Sequence, residues 1–521
     1  MAPSCLAGLT GGSARLLFNS FVFIFGFMPL VLAGYFALGR VDARRAALVW
    51  LGVASLAFYG WGDLRHLPLL LASIAGNFVL GRLMSRRAEA DRPNGRLLAL
   101  GVGLDLAVLA WFKYADFAAM NLASLGLPVR PPGIELPVGI SFFTFTQIAY
   151  LVDCWRGETR RYRPHEYFLF VTYFPHLIAG PILLHREVIP QFWLARPYRF
   201  ELARILIGLT IFTIGLFKKV VLADGVAPYA DRLFDGVADG ADPDMVAAWI
   251  GALAYTMQLY FDFSGYSDMA VGLSHMLGFR LPVNFWSPYR AGSIIEFWRR
   301  WHITLSRFLA DHLYRPLGGS RRGASRHYLN LMITMLLGGL WHGAGWTFIA
   351  WGALHGCYLS LNHAFRRWAG SRPAVGRMLQ HPPVRLLATL VTFLAVVLGW
   401  VLFRAESLMD AGIVANAMVG LGGGEKLFDG VGRIWLHLLP LLAILFFAPN
   451  SFQIMRRYTR YRPYSSGRTL GGPAAAEAGS GTGRLAWRMT GPWAVVTGCV
   501  LALALLSMLT AQSSPFLYFQ F

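Results

Sequence analysis

The chain alternates long apolar runs with short basic ones, and this alternation restricts its fold more than any single motif. Apolar segments lie near 16–38, 46–61, 67–83, 97–115, 137–153, 203–222, 246–263, 347–363, 385–403, 433–449 and 489–510. A segment inside a bilayer has no water to pair with its backbone, so it must close its N–H and C=O groups internally, and a helix does this. Hydrophobic residues make up 56% of the 521, more than a water-soluble fold would hide. The expected fold is an all-α polytopic membrane protein, a helical bundle with about eleven spans plus re-entrant and half-depth helices.

Charge sets the expected orientation. Lys and Arg number 47 against 27 acidic residues, a net charge of +20. Such a balance also suits nucleic-acid binding, but the basic residues fall between the apolar runs, as in loops that face anionic lipid. With the N-terminus outside and the spans alternating, the basic stretches 40–45, 82–96, 156–163, 315–326, 366–377 and 456–488 all fall inside. The acidic or neutral stretches 116–136, 223–245 and 405–432 fall outside. A multi-pass protein of the cell inner membrane is expected, with lipid and not nucleic acid as its surroundings. Cys5, Cys154, Cys357 and Cys499 show no paired spacing, so neither a metal site nor a disulfide framework is expected. The first apolar run lacks a small-residue cleavage site and reads as a retained span. The expected divisions are an extension at 1–15, helices over 16–155, a core over 156–365, further helices over 366–455, a flexible linker at 456–488, and a last helix with its tail at 489–521.

Polar groups inside the apolar runs are the candidates for function. Trp301-His302 lies in an amphipathic stretch, 294–309, where Ile295, Trp298, His302, Leu305 and Leu309 form one helical stripe. Trp341-His342 ends an apolar stretch, 328–340, too short for a bilayer that needs roughly 20 residues. A half-depth helix opening into a cavity would explain both the length and the imidazole. Each His reads equally as a satisfied structural residue. Asp262 and Asp268 follow apolar sequence, where a carboxylate needs partners or water; alternatively Ser264, Gly265 and Ser267 break the helix and the two Asp cap it. Residues 167–183, rich in Pro and Gly between basic flanks, read as a re-entrant element.

The blocks PVGISFFTFTQIAYLVD, YFPHLIAGPI, GLFKKVVLAD, YFDFSGYSDMA, NFWSPYRAGSIIEFWRRWHITLS and GGLWHGAGW together resemble the membrane-bound O-acyltransferase (MBOAT) family. Within it, the likeness is to the branch that O-acetylates alginate and other bacterial exopolysaccharides. The resemblance implies an MBOAT-type bundle in which His342 is catalytic and His302 is the second motif His, on the donor side. It implies acetyl-CoA as acyl donor at the cytoplasmic face, no permanently bound cofactor, and a polysaccharide or a periplasmic acetyltransferase partner at the outer face. Trp298, Arg299, Arg300 and Arg315 are the candidate donor-binding residues, and Trp341, Asp262, Asp268, Asn284, Tyr289 and Glu296 the candidate lining. The family often carries a basic residue as GPI-x-R; here Leu183 and Leu184 precede His185 and Arg186.

The chemistry agrees with that role. Acyl transfer from a thioester to a hydroxyl needs a base, and His serves near neutral pH. It also needs water kept out, which Trp341 and Trp346 could do, while Gly338, Gly339, Gly343 and Gly345 permit close approach. Arg299, Arg300, Arg315, Arg321 and Arg322 could receive donor phosphates, or could simply follow the positive-inside pattern. A D-alanyl transferase fed by a carrier protein, a transporter, and a scaffold for polysaccharide export are the competing readings.

Overall fold

The computed structural model describes residues 16–41, 43–90, 92–159, 161–194, 196–459, 464–465, 468–469, 486–510 and 515–517. The expected extension at 1–15 and most of the expected linker at 456–488 lie outside these residues. Among the described residues the regular structure is helix apart from one small hairpin, β1 Tyr464–Ser465 against β2 Arg468–Thr469. It divides into two compact units.

The first unit comprises residues 1–216, 266–281 and 508–515. Its helices are α1 Met28–Arg40, α2 Arg44–Asp63, α3 Leu67–Glu89, α4 Gly95–Ser124 and α5 Ile140–Trp155, followed by the short α6 Pro164–Thr172, α7 Phe174–Leu177 and α8 His185–Val188, then α9 Leu202–Phe217. Helix α5 is buried along nearly its whole length, so its polar residues must find partners within the protein. Gln147 donates to Ser73 Oγ at 2.7 Å and accepts from the Tyr167 hydroxyl at 3.2 Å. Nearby, Asn77 donates to Asp105 at 2.7 Å. The 167–183 stretch is broken as its Pro and Gly content predicts: α6 ends at Thr172, α7 runs one turn, and 179–184 are non-helical. The next residue, His185, is fully buried between the Tyr162 hydroxyl at 2.8 Å and the Asp153 carboxylate at 2.9 Å. Arg186 faces Glu158 at 3.5 Å. A GPI-x-R pattern would place its basic residue at position 184, which here is Leu184, and the tied network begins one residue later.

The second unit comprises 217–265, 282–507 and 516–521. It holds α10 Asp224–Ala238, α11 Met245–Met276 up to residue 265, α12 Ile294–Arg300, α13 Ile303–Leu309, α14 Ala324–His342, α15 Trp346–Gly370, α16 Pro373–Met378, α17 Pro382–Arg404, α18 Leu408–Met418, α19 Val431–Phe447, α20 Ser451–Ile454 and α21 Gly491–Thr510. Small residues let α14 and α15 meet backbone to backbone. A Cβ on Gly339 would overlap the Phe348 carbonyl oxygen, and one on Gly352 would overlap the Met335 carbonyl oxygen. In lipid, where apolar burial between helices gains little, such contact supplies the packing.

Among the described residues, six helical stretches are long and apolar enough to cross a membrane: Val22–Arg40, Leu67–Glu89, Gly95–Ser124, Leu202–Ala238, Pro382–Arg404 and Gly491–Thr510. They cover six of the eleven expected segments; the others lie in helices that are shorter or more polar.

Four local expectations are corrected. The 294–309 stripe is two helices, because His302 takes φ +42° and ψ +54° and turns the chain between α12 and α13. Helix α11 runs unbroken for 32 residues through Ser264, Gly265 and Ser267; packing of the buried Phe261, Phe263, Met269 and Ala270 on either side overrides the weak helix preference of serine and glycine. The stretch before His342 is a 19-residue helix, since Ser325, Arg326 and His327, which look like loop, form its first turn. The 223–245 stretch is helical from Asp224 to Ala238.

Candidate active site

His342 is the last residue of α14, and its neighbours come from three other helices. Its ring meets Trp351 of α15 and Phe403 of α17 edge-on, each with centroids 5.2 Å apart. Trp400 stacks on Trp351 at 6.0 Å and lies 4.9 Å from Trp301. His342, Trp351, Trp400, Phe403, Trp301 and, from α11, Asp262 line a small cavity of about 20 Å³. That is space for a single water, walled by aromatic rings that keep bulk solvent away.

The one carboxylate in this wall is neutralised. Lys219 Nζ lies 2.7 Å from Asp262 Oδ1 and 2.8 Å from Asp224 Oδ1, and the Lys219 side chain is 1% exposed. The Leu517 N–H donates to Asp262 Oδ2 at 3.2 Å. A buried charge persists only with such pairing. Lys219 was not singled out in the sequence, although a lysine inside the apolar run 203–222 is itself a signal.

His302 sits apart from the cavity wall and is fully buried. Residues 284–286 run beside the turn between α12 and α13: Ile303 N donates to Asn284 O and Trp286 N to Arg300 O, both at 2.9 Å. The Asn284 side-chain oxygen then lies 3.1 Å from His302 Nδ1, accepts from Thr304 Oγ1 at 2.9 Å, and accepts from Thr304 N at 3.3 Å. The imidazole meets Phe263 edge-on at 4.7 Å. Trp341 lies between the two motif histidines, 6.3 Å from the ring of His302 and 4.9 Å from that of His342.

The remaining candidates separate. Tyr289 donates to Thr256 O at 2.8 Å and accepts from the Trp400 indole at 3.1 Å, so it braces the aromatic wall from behind. Trp298, on the expected stripe, is buried and donates to His355 Nδ1 at 3.3 Å. His355, fully buried beside Trp351, was missed by sequence reading; its spacing of four from Trp351 put it on the same helical face. Arg300 does not face headgroups. It is 1% exposed and bound to Glu296 at 2.7 Å, while Glu296 also accepts from Gly292 N at 3.0 Å. Arg299 is exposed, and Arg315 pairs with Asp311 at 2.6 Å. Asp268 is buried in the part of α11 that belongs to the first unit and does not line the cavity. Trp346 is 55% exposed and does not line the cavity. Gly343 lies against the Phe348 ring and Gly339 against the Phe348 carbonyl, so these glycines serve helix packing.

Residues 110–403 match the model of MBOAT, the membrane-bound O-acyltransferase family. The chain is similar to "Probable alginate O-acetylase AlgI" of Pseudomonas putida, 41% identical over 515 residues that cover 97% of this chain and 100% of that protein. It is similar to "Peptidoglycan O-acetyltransferase" of Helicobacter pylori, 42% identical over 439 residues, 78% of this chain and 80% of the other. "Teichoic acid D-alanyltransferase" of Bacillus subtilis is 24% identical over 293 residues, 54% and 71% of the two chains. With helices that can span a bilayer, a family match over more than half its length, and a relative above 40% identity from end to end, this chain belongs to the membrane-bound O-acyltransferase family.

Proposed function

We propose that this O-acyltransferase moves an acetyl group from a cytoplasmic thioester donor, acetyl-CoA, to a hydroxyl of an exopolysaccharide or of a periplasmic partner protein reached from the other face of the inner membrane. The observation that carries this reading is His342 at the end of α14, set into a water-poor aromatic wall. The acetylating relatives cover this chain far more fully than the D-alanylating one, and this favours acetyl over D-alanyl transfer.

In the proposed step the neutral His342 imidazole accepts the proton of the acceptor hydroxyl as its oxygen attacks the thioester carbonyl. The C–O bond forms, the C–S bond breaks, and the departing thiolate takes up the proton from His342. Tyr289, Trp400 and Trp351 hold the wall in place. Lys219 neutralises Asp262, so that no unpaired charge faces the reacting atoms. A cavity of about 20 Å³ is smaller than either reactant, so the wall must part for them to meet.

The test is acetyl transfer from acetyl-CoA by purified protein in lipid nanodiscs, read as thiol release and acceptor acetylation. Wild type is expected to transfer and His342→Ala to fail, with the donor still bound. Equal turnover by the two proteins would end this assignment. The orientation is tested separately: a cysteine placed in 82–96 should resist an impermeant reagent added from outside the cell, and labelling there would reverse the topology.

A further inference from the structure

Helix α4 carries a carboxyl group inside the membrane that the acyl-transfer step does not use. Asp105 lies ten residues beyond Gly95, the first residue of α4, about 15 Å along it at the helical rise. The helix is one of those able to cross a bilayer, and Asp105 faces the protein: it is buried, while Leu104 and Leu106 beside it are 54% and 45% exposed. Gly101 and Leu109, one turn before and one turn after, are buried with it. A Cβ on Gly101 would overlap the Leu151 side chain of α5, so the surroundings are apolar and closely packed. A carboxyl group in such a place is a functional candidate by default. Sequence reading passed over it, although it interrupts the apolar run 97–115.

A chain of hydrogen bonds across four helices ends at this residue. The Tyr167 hydroxyl of α6 donates to Gln147 of α5 at 3.2 Å, and Gln147 donates to Ser73 Oγ of α3 at 2.7 Å. Asn77, one turn on from Ser73, donates to the Ser73 carbonyl at 3.1 Å and to Asp105 Oδ1 at 2.7 Å. Two acceptors are then left over. Among the described residues, Asp105 Oδ2 and Asn77 Oδ1 are buried without a hydrogen-bond partner. They belong to the same two side chains that share the 2.7 Å bond.

No cation pairs with this carboxyl group among the described residues. On α4 the next basic residue, Lys113, stands eight positions on, with Nζ 3.5 Å from Ser141 Oγ. On α3 it is Arg82, which is exposed and lies over the Phe78 ring at 5.8 Å. From α5 and α6 come the phenols of Tyr150 and Tyr167, their rings 4.4 Å apart. An ionised Asp105 would hold an unpaired charge away from water, which is far costlier than burying a neutral acid. A single proton removes the charge, gives Oδ2 a hydrogen to donate, and gives Asn77 Oδ1 a donor. An amide and a protonated carboxyl group each offer one donor and one acceptor side by side, so the two can bond in both directions.

We propose that Asp105 is a proton-binding site: a carboxylic acid that stays protonated at neutral pH, with its Oδ2–H donated to Asn77 Oδ1, latching the lipid-facing helix α4 to α3. This does not rest on the acyl-transfer reading.

The test is infrared spectroscopy of the purified chain in phosphatidylcholine nanodiscs, wild type against Asp105→Asn, at neutral pH. The variant is expected to lose one protonated-carboxyl carbonyl band. Loss of a carboxylate band instead, as an ionised Asp105 held by buried water would give, would overturn the proposal. Asn77→Leu should shift the acid band to higher frequency, because its carbonyl loses the amide donor; an unmoved band would overturn the pairing. Melting temperature against pH gives a readout independent of the band. At neutral pH Asp105→Asn should melt close to wild type, since its amide N–H replaces the acid O–H. Stability that depends on a bound proton is lost as pH rises, so wild type should fall below Asp105→Asn in alkaline buffer. A constant difference between the two proteins across that range would count against a proton at this site.

Discussion

Trp301-His302 and Trp341-His342 repeat one dipeptide in two unlike settings. His302 turns the chain between two helices in a left-handed conformation, and the Asn284 side chain holds its Nδ1 at 3.1 Å. His342 ends a regular helix and faces a cavity. In the first pair the backbone carries the unusual geometry and the ring is fastened. In the second the backbone is ordinary and the ring is placed against space. The difference teaches that a buried histidine announces a role only through its surroundings: His302 has the marks of a positioning residue, His342 those of a chemical one.

The largest effect should come from the second pair. His342→Ala is expected to lower acetyl transfer by about 10²–10⁴-fold, the usual yield of general-base catalysis, equivalent to about 3–5 kcal/mol in the barrier. The melting temperature should move little. A well-folded His342→Ala protein keeping more than about a tenth of wild-type rate would erase the contrast between the pairs.

A smaller effect is expected at the helix seam that delivers His342. Gly339→Val forces a side chain into the Phe348 carbonyl and should destabilise by about 1–3 kcal/mol, as overpacking does. Thermal unfolding in detergent measures this; an unshifted melting temperature would mean that α14 and α15 are not held as closely as the structure shows.

At the first pair, Asn284→Ala leaves His302 Nδ1 and the Thr304 hydroxyl without their shared acceptor. The expected cost is about 1–3 kcal/mol of stability, with donor binding unaffected. A full loss of transfer without any stability change would instead move Asn284 into the chemistry.

The smallest difference is also the sharpest. Glycine relieves a left-handed backbone but weakens a helix, by about 0.5–1 kcal/mol relative to alanine. His302→Gly should therefore melt above His302→Ala, while His342→Gly should melt below His342→Ala. The same order at both sites would show that the two backbones are alike after all.

Much of this was legible in the sequence. The apolar runs located the helices, and the two Trp-His pairs marked the region that the cavity occupies. The break at His302 was not legible, because Ile295, Trp298, Leu305 and Leu309 stay in helical phase across it and no glycine or proline marks the turn. Asn284, eighteen positions earlier, supplies the side chain that fixes it. Helix α14 looked too short because Arg326 and His327 read as loop, yet a basic first turn can reach the headgroup region. The Lys219–Asp262 pair joins residues 43 positions apart, and no local pattern reports that distance.

The seam between α14 and α15 bears on how a family alignment or a saturation library would be interpreted. Gly339 and Gly352 have no room even for a methyl group, so their columns would look as invariant as that of His342. Intolerance to change would then fall into two classes that sequence statistics alone would merge. At the histidine, function should be lost while the protein still accumulates; at the glycines, the protein itself should be lost. Abundance scored beside activity would separate them, and any effort to widen the acceptor range should leave the seam alone and vary Trp351, Trp400 and Phe403, the rings that bound the space beside the imidazole.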